Sequence, residues 1–148
     1  MPKLLSEAEV DAFVDHRLIR LFDHEAQENL LRPDEVGHTW LSAGSSSVLL
    51  QSPDDIYLAR FAFEFWDGPP APLDVVDWPL SEVIPLFLPS GLLGVEAPTV
   101  GGQAEVFDVG EFQHYRVQAG WRAIPWDPNA VDEPQAYAVF QFWVDVAS

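Results

Sequence analysis

The sequence predicts a mainly β protein, an antiparallel β-sandwich that occupies residues 1–148 as one domain and carries one or two short helical segments near its N-terminus. Apolar and polar residues alternate over several short segments, which is the pattern of half-buried strands. Thirteen prolines and nine glycines separate those segments. The chain is 48% hydrophobic and holds six Trp, ten Phe and three Tyr, a content typical of a packed core and not of a disordered acidic chain.

The N-terminal segment is the one with helical periodicity. Ser6 and Glu9 have the spacing of a capping box, and they favour an amphipathic helix from about Glu7 to Phe22. A second helical turn is predicted at Pro33, where acids follow the proline as they do in a first helical turn. The apolar positions at helical spacing in the longer segment are Val10, Phe13, Val14, Leu18, Leu21 and Phe22.

Three later segments alternate strongly enough to predict strands. The odd-numbered positions are apolar in Ile56–Phe65 and in Tyr115–Ala119. The even-numbered positions are apolar in Ala136–Val146. Weaker strands are predicted at Ser47–Leu50, Val83–Leu88, Leu92–Glu96 and Glu105–Val109. Turn-forming residues separate many of these segments, as in Ser52-Pro53-Asp54-Asp55, Asp67-Gly68-Pro69-Pro70 and Asp127-Pro128-Asn129. Many short strands joined by such turns favour an antiparallel sandwich or barrel.

The acidic balance excludes several classes of partner. With 24 acidic against 7 basic residues, the formal net charge is -17. Such a surface repels nucleic-acid phosphates and anionic lipid, so we expect neither direct nucleic-acid binding nor membrane binding. It favours cations and basic proteins, including proteins that themselves bind nucleic acid. A role in solubility alone explains the charge equally well.

No motif in the chain specifies a chemistry. Gly44-Ser45-Ser46-Ser47 lacks the final glycine of a nucleophile elbow, and the spacing of the histidines matches no metal site. We therefore predict no catalytic residue, no metal, no cofactor and no enzyme activity. Without cysteine, a basic-apolar signal segment or an apolar run of about 20 residues, the chain is expected to be cytoplasmic.

The order of several short segments resembles a known family. The pattern comprises His16-Arg17-Leu18-Ile19-Arg20-Leu21-Phe22-Asp23, then Pro33-Asp34-Glu35-Val36-Gly37, Ala43-Gly44-Ser45-Ser46-Ser47-Val48, Val106-Phe107-Asp108-Val109, Tyr115-Arg116-Val117 and the terminal Tyr137–Trp143 segment. It is similar to the competence protein J group, bacterial inhibitors of a DNA-entry nuclease. The resemblance implies a β-sandwich whose first strand is His16–Asp23. We therefore expect a strand at about Arg17–Phe22 and confine the predicted helix to Glu7–Phe13.

Charge and resemblance together predict a non-catalytic inhibitor or immunity protein that binds a basic partner, most readily a nuclease or toxin. Acidic side chains on turns would stand in for phosphates, and an exposed Trp would anchor the contact. The alternative is a module that binds a small ligand or carbohydrate through Trp66, Trp121 or Trp126. The candidate partner-binding residues of the inhibitor are Asp54, Asp55, Asp74, Asp77, Trp126, Asp127, Asp132 and Glu133.

Overall fold

The protein is a two-sheet β structure. A computed structural model describes residues 2–14, 18–25, 40–44, 46–52, 58–97, 101–124 and 133–145. The strands in these ranges are β1 (Leu4–Phe13), β2 (Leu18–Asp23), β3 (Leu41–Ala43), β4 (Ser47–Gln51), β5 (Leu58–Trp66), β6 (Leu80–Leu88), β7 (Leu92–Ala97), β8 (Gly101–Asp108), β9 (Gln113–Ala123) and β10 (Ala136–Val144).

The strands form two five-stranded sheets that pack face to face. The first sheet has the order β1-β5-β10-β9-β6, and the second has the order β3-β4-β2-β7-β8. Neighbouring strands are antiparallel except for β5 and β10, which run parallel. The predicted β-sandwich is confirmed, and this parallel pair is the one departure from its antiparallel pairing in the described strands.

Aromatic side chains between the sheets form the centre of the core. Phe61, Phe63, Phe140 and Phe142 project inward from β5 and β10 and are fully buried. Phe63 stacks on Phe140 with ring centroids 5.8 Å apart, and on Phe107 of the second sheet at 5.7 Å. Each large ring buried in this way stabilises the fold by roughly 2–3 kcal/mol. The alternation found in the sequence therefore orients both strands, because their apolar faces meet in this layer.

The predicted helix at Glu7–Phe13 is wrong, because β1 occupies Leu4–Phe13 and pairs with β5. Ala8, Val10 and Ala12 face the core while Glu7 and its odd-numbered neighbours face solvent. Pairing with β5 gives the backbone of this segment its hydrogen bonds in a sheet, which overrides a weak helical spacing.

The strand expected at Arg17–Phe22 is present as β2, but it is the second strand of the chain and not the first. The strands predicted at Ile56–Phe65, Tyr115–Ala119 and Ala136–Val146 correspond to β5, β9 and β10, and the four weaker predictions correspond to β4, β6, β7 and β8. The three-residue β3 was not predicted. The helical turn expected at Pro33 lies outside the described residues.

Two chain crossings between the sheets meet at one end of the sandwich, here called the clasp end (residues 89–91 and 109–112). Gly91 O accepts a hydrogen bond from Val109 N at 2.9 Å. Asp23, fully buried at the end of β2, accepts hydrogen bonds from Ser90 Oγ at 2.8 Å, from Gly91 N at 2.9 Å and from the backbone N of Ser90 and Glu25. One carboxylate therefore fixes the crossing from β6 to β7.

Tyr115 fixes the second crossing. Its hydroxyl lies 2.9 Å from Val109 O and 2.8 Å from Gly110 O, to which it can donate, and it accepts a hydrogen bond from Phe112 N at 3.1 Å. The Tyr115 side chain is buried, and this burial raises the pKa of its phenol above the ordinary value of 10.0. The folded state therefore favours the protonated phenol.

We predict that Tyr115→Phe lowers the free energy of unfolding by about 1–2 kcal/mol at neutral pH, since Phe112 N loses its acceptor. A raised folded pKa contributes stability that is complete below the unfolded pKa and is lost as the pH rises through the folded one. The difference between wild type and variant in urea unfolding should thus shrink above about pH 10. A difference that stays constant to higher pH would contradict the role given to the buried phenol.

Candidate functional site

Three of the eight candidate partner-binding residues lie in the described part of the chain. Asp74 and Asp77 are exposed in a turn, and Glu133 is exposed just before β10. Asp74 Oδ1 accepts a hydrogen bond from Val76 N at 2.9 Å, and its carbonyl accepts one from Trp78 N at 2.7 Å. Asp74 therefore shapes the turn that presents Asp77. The other five, Asp54, Asp55, Trp126, Asp127 and Asp132, lie outside the described residues.

Described residues that flank the segments carrying those five residues lie together at one end of the sandwich. Ile124 N donates to Gln135 O at 2.9 Å, and Gln135 N donates to Leu58 O at 2.8 Å. These residues flank residues 125–132 and 53–57, so both segments connect to the same end of the sandwich. We call this the loop end, defined by Leu58, Ile124 and Gln135. It lies opposite the clasp end, because β5 and β10 begin here and β9 ends here.

The turn with Asp74 and Asp77 belongs to a strap, residues 67–79, that crosses the outer face of the first sheet from β5 to β6. Gln118 donates from Nε2 to Ala71 O at 3.1 Å and accepts from Leu73 N at Oε1. A Cβ on Gly120 would lie 2.7 Å from Leu73 Cδ1, so the strap packs directly on the glycine backbone. Trp78 lies beside Arg122 near the loop end. The guanidinium carbon of Arg122 is 4.9 Å from the centre of the Trp78 ring.

A row of carboxylates on the outer face of β1 was not among the predicted site residues. Glu7, Glu9 and Asp11 are exposed at alternate positions on this edge strand. Asp11 accepts a hydrogen bond at 2.8 Å from Nε of Arg60, which raises the pKa of Arg60, and Glu9 lies 3.9 Å from the same nitrogen. The strict alternation of acids with Ala8, Val10 and Ala12 is a signal in the sequence, but the helical spacing of larger residues obscured it.

A polar row continues from β1 across the sheet. Glu7 lies directly opposite Glu64 of β5, which accepts hydrogen bonds from Trp66 Nε1 at 2.9 Å and from Gln141 Nε2 at 3.1 Å. Gln141 Oε1 in turn accepts from Gln118 Nε2 at 2.6 Å. The Glu64 carboxylate is thereby held in position, whereas no ion pair within the described ranges involves Glu7.

The tryptophans proposed for ligand binding do not form a shared site. Trp121 lies in the core at 3% exposure, so it lacks the exposed ring that stacking on a ligand requires. Trp66 is half-buried and hydrogen-bonded to Glu64, and Trp126 lies outside the described residues. The alternative of a sugar-stacking surface therefore loses Trp121, because its indole is buried in the core.

In the part of the chain that the structure describes, no three His, Asp or Glu side chains come close enough together to hold a metal ion. Over the same residues, no helix has both the length and the apolar character needed to cross a membrane.

Comparison with known proteins places the fold. No protein-family model and no curated protein matches the sequence. The two-sheet β-sandwich is nevertheless found in solved structures that match nearly end to end. One is the crystal structure of ComJ, described as an inhibitor of the DNA degrading activity of NucA, from Bacillus subtilis, with a TM-score of 0.68 at 10% identity, covering 98% of this chain and 99% of that chain. A second, described as crocagin biosynthetic gene J, has a TM-score of 0.56 at 20% identity over 98% of this chain and 99% of that one.

These similarities establish a ComJ-like fold for this chain. The β-sandwich implied by the resemblance to the competence protein J group is thus confirmed, while identities of 10% and 20% carry no residue roles from one protein to the other.

Proposed function

We propose that this protein is a non-catalytic inhibitor that binds the basic, nucleic-acid-binding cleft of a nuclease. The observation that carries the proposal is the end-to-end similarity to ComJ, whose description names it as an inhibitor of a DNA-degrading nuclease. The net charge of -17 supports it. A basic cleft that binds negatively charged phosphates also attracts a surface of negatively charged carboxylates.

The loop end is the proposed contact surface. The segments carrying Asp54, Asp55, Asp127 and Asp132 attach to described residues at this end, and Glu133 is exposed just before β10. The described residues at this end, Leu58, Ile124 and Gln135, are hydrogen-bonded to one another. They are therefore already ordered, and binding a partner costs little of their conformational entropy. Asp77 borders this surface, since Trp78 packs against Arg122 there. Trp126 is the proposed anchor in the partner's cleft.

Complementary charge acts chiefly on the rate of encounter and on the choice of partner. Carboxylates at the loop end would occupy positions that phosphates take in the nuclease cleft, and so exclude the substrate. The test is to mix the purified chain with any nuclease encoded beside its gene and to measure DNA degradation and binding at several salt concentrations. Absence of both inhibition and binding at every salt concentration would refute the proposal.

Neutralising loop-end charges should weaken this inhibition. We predict that Asp77→Asn with Glu133→Gln lowers affinity about fivefold, because exposed charge pairs each contribute up to about 1 kcal/mol. The matched control is Glu25→Gln with Glu111→Gln, which removes the same charge from exposed residues at the clasp end. Equal losses in the two double variants would mean that only net charge matters and that the loop end is not the contact surface.

A further inference from the structure

The four edges of the two sheets differ in how they are protected against pairing with another strand. Exposed edges present free backbone N–H and C=O groups, and native proteins block them with short strands, prolines, irregular register or charge. Here β3 has three residues, β6 carries Pro85 in its middle, and the register of β8 with β7 shifts between Leu93 and Val95. Each of these three edges is thus either too short or too irregular in its backbone to pair regularly with another strand.

The edge of β1 is regular over most of its length. Its register with β5 runs unbroken from Ser6 to Phe13, after one irregularity between Leu4 and Ser6. The strand contains no proline or glycine, and among the described residues no strand pairs with its other side. Eight consecutive residues therefore offer a regular template for one more strand, and in the described part of the chain their row of exposed acids is the feature that guards this edge.

The negative charge of this row determines which added strand can pair with β1. An added strand places its side chains about 5 Å from those of β1, where like charges repel and opposite charges attract. The outward row of Glu7, Glu9 and Asp11 thus opposes pairing with a second copy of this acidic chain, because the same row would then lie beside itself. A strand with Lys or Arg at every second position would instead meet a carboxylate at each outward position.

The outer face beside β1 has room for those basic side chains. Glu7, Glu9 and Glu64 line a groove of about 350 Å³ that has Ala62 at its floor. Arg60 lies against Asp11 and near Glu9, so the charge at the Glu7 and Glu64 end of the groove is not offset by a described cation. Two facing carboxylates repel each other here, and an incoming cation would relieve that repulsion.

The inward positions of β1 specify the alternate residues of the added strand. Ala8 and Val10 are small, only partly buried and packed against the core. Apolar side chains on a neighbouring strand would cover them and extend the core by one strand.

We propose that β1 is a strand-addition site for an extended segment in which basic and apolar residues alternate. The proposal rests on the proposed function in one respect: it assigns such a segment to the basic partner. The β1 row is continuous with the loop end, since Phe13 pairs with Leu58, so one partner could contact both. Main-chain hydrogen bonds would supply affinity and the carboxylates would supply selectivity.

The test uses synthetic peptides and the full chain. The probe is a nine-residue peptide of alternating Lys and Val, and the control peptides carry a central Pro or replace every Lys by Glu. Titration calorimetry should detect binding of the first peptide alone, and hydrogen exchange should show new protection of backbone amides in β1. Protection confined to another strand, or binding of the Pro peptide with equal affinity, would overturn the proposal.

Chain variants make the charge argument specific. Glu7→Gln with Glu9→Gln and Asp11→Asn should weaken binding of the Lys peptide about tenfold, whereas Asp74→Asn with Asp77→Asn and Glu133→Gln, which removes equal charge, should change it less than about twofold. Glu7→Lys with Glu9→Lys should invert the preference toward the Glu peptide. Equal weakening by both triple variants, or no inversion, would refute the β1 site.

Nuclease inhibition, measured in parallel on the same variants, separates the two proposals. If the wild-type chain binds the peptide at β1 but inhibits no nuclease, the strand-addition site stands and the proposed function is refuted. If it inhibits a nuclease fully but binds no peptide at β1, the proposed function stands and the strand-addition site is refuted.

Discussion

Gly91→Ala is expected to lower the free energy of unfolding by about 4 kcal/mol. The glycine has a φ of +74°, and an added Cβ would lie 1.8 Å from Gly110 O and 2.9 Å from Gly110 C. A positive φ costs alanine roughly 1–2 kcal/mol, and overpacking adds about 1–3 kcal/mol. The backbone has little freedom to move away, because Gly91 N donates to Asp23 and Gly91 O accepts from Val109 N.

Urea unfolding followed by tryptophan fluorescence measures this effect, and the chain provides a matched control. A Cβ on Gly68 would lie 3.7 Å from Pro2 Cβ, an ordinary van der Waals distance. Gly68→Ala should therefore change the stability by less than about 1 kcal/mol. If Gly91→Ala is no more destabilising than Gly68→Ala, the two crossings do not pack as described.

Asp23→Ala should cost nearly as much, about 3–5 kcal/mol. The carboxylate accepts hydrogen bonds from Ser90 Oγ and from three backbone N–H groups, of Ser90, Gly91 and Glu25. Removing it leaves the buried N–H of Gly91 and three partly buried donors without an acceptor, at about 1–3 kcal/mol for each one that water cannot reach. Asp23→Asn keeps one acceptor oxygen and should lose about half as much.

The control for Asp23 is Asp108, an exposed residue whose Oδ1 accepts one hydrogen bond from Gly110 N at 2.8 Å. Asp108→Ala should lower the free energy of unfolding by about 1 kcal/mol, as expected for the loss of one solvent-exposed hydrogen bond. Similar losses in the two alanine variants, measured by urea unfolding, would show that Asp23 does not fix the crossing between the sheets.

The fold was predictable where side chains alternate over a long stretch. The terminal strand and β5 could be recognised because large apolar residues such as Phe61, Phe63 and Phe140 recur at every second position. β1 was missed since its inward residues are largely small, and Ala8 and Ala12 give a weak signal beside the helical spacing of Val10 and Phe13. Which strands pair, and the parallel contact of β5 with β10, depend on contacts far apart in sequence.

The candidate site was predictable only in part. Turn chemistry put Asp74, Asp77 and Glu133 in loops, and the structure shows these three side chains exposed, while their role in binding stays a prediction. The sequence could not reveal that the strap carrying Asp74 and Asp77 covers Gly120. The candidate contact residues were also chosen from turns, so acids on strands were not among them. The carboxylate row of β1 depends on the strand assignment of that segment, so the error over the helix concealed Glu7 and Glu9 as surface residues of one sheet edge.

The proposed function is that this acidic sandwich inhibits a nuclease by occupying its basic cleft. The decisive experiment is to titrate the purified chain into any nuclease encoded beside its gene and to follow DNA degradation at low and high salt. We expect stoichiometric loss of DNA degradation at low salt, and a weaker inhibition as salt screens the charges. Undiminished DNA degradation at every salt concentration, with no complex between the two proteins, would contradict the claim.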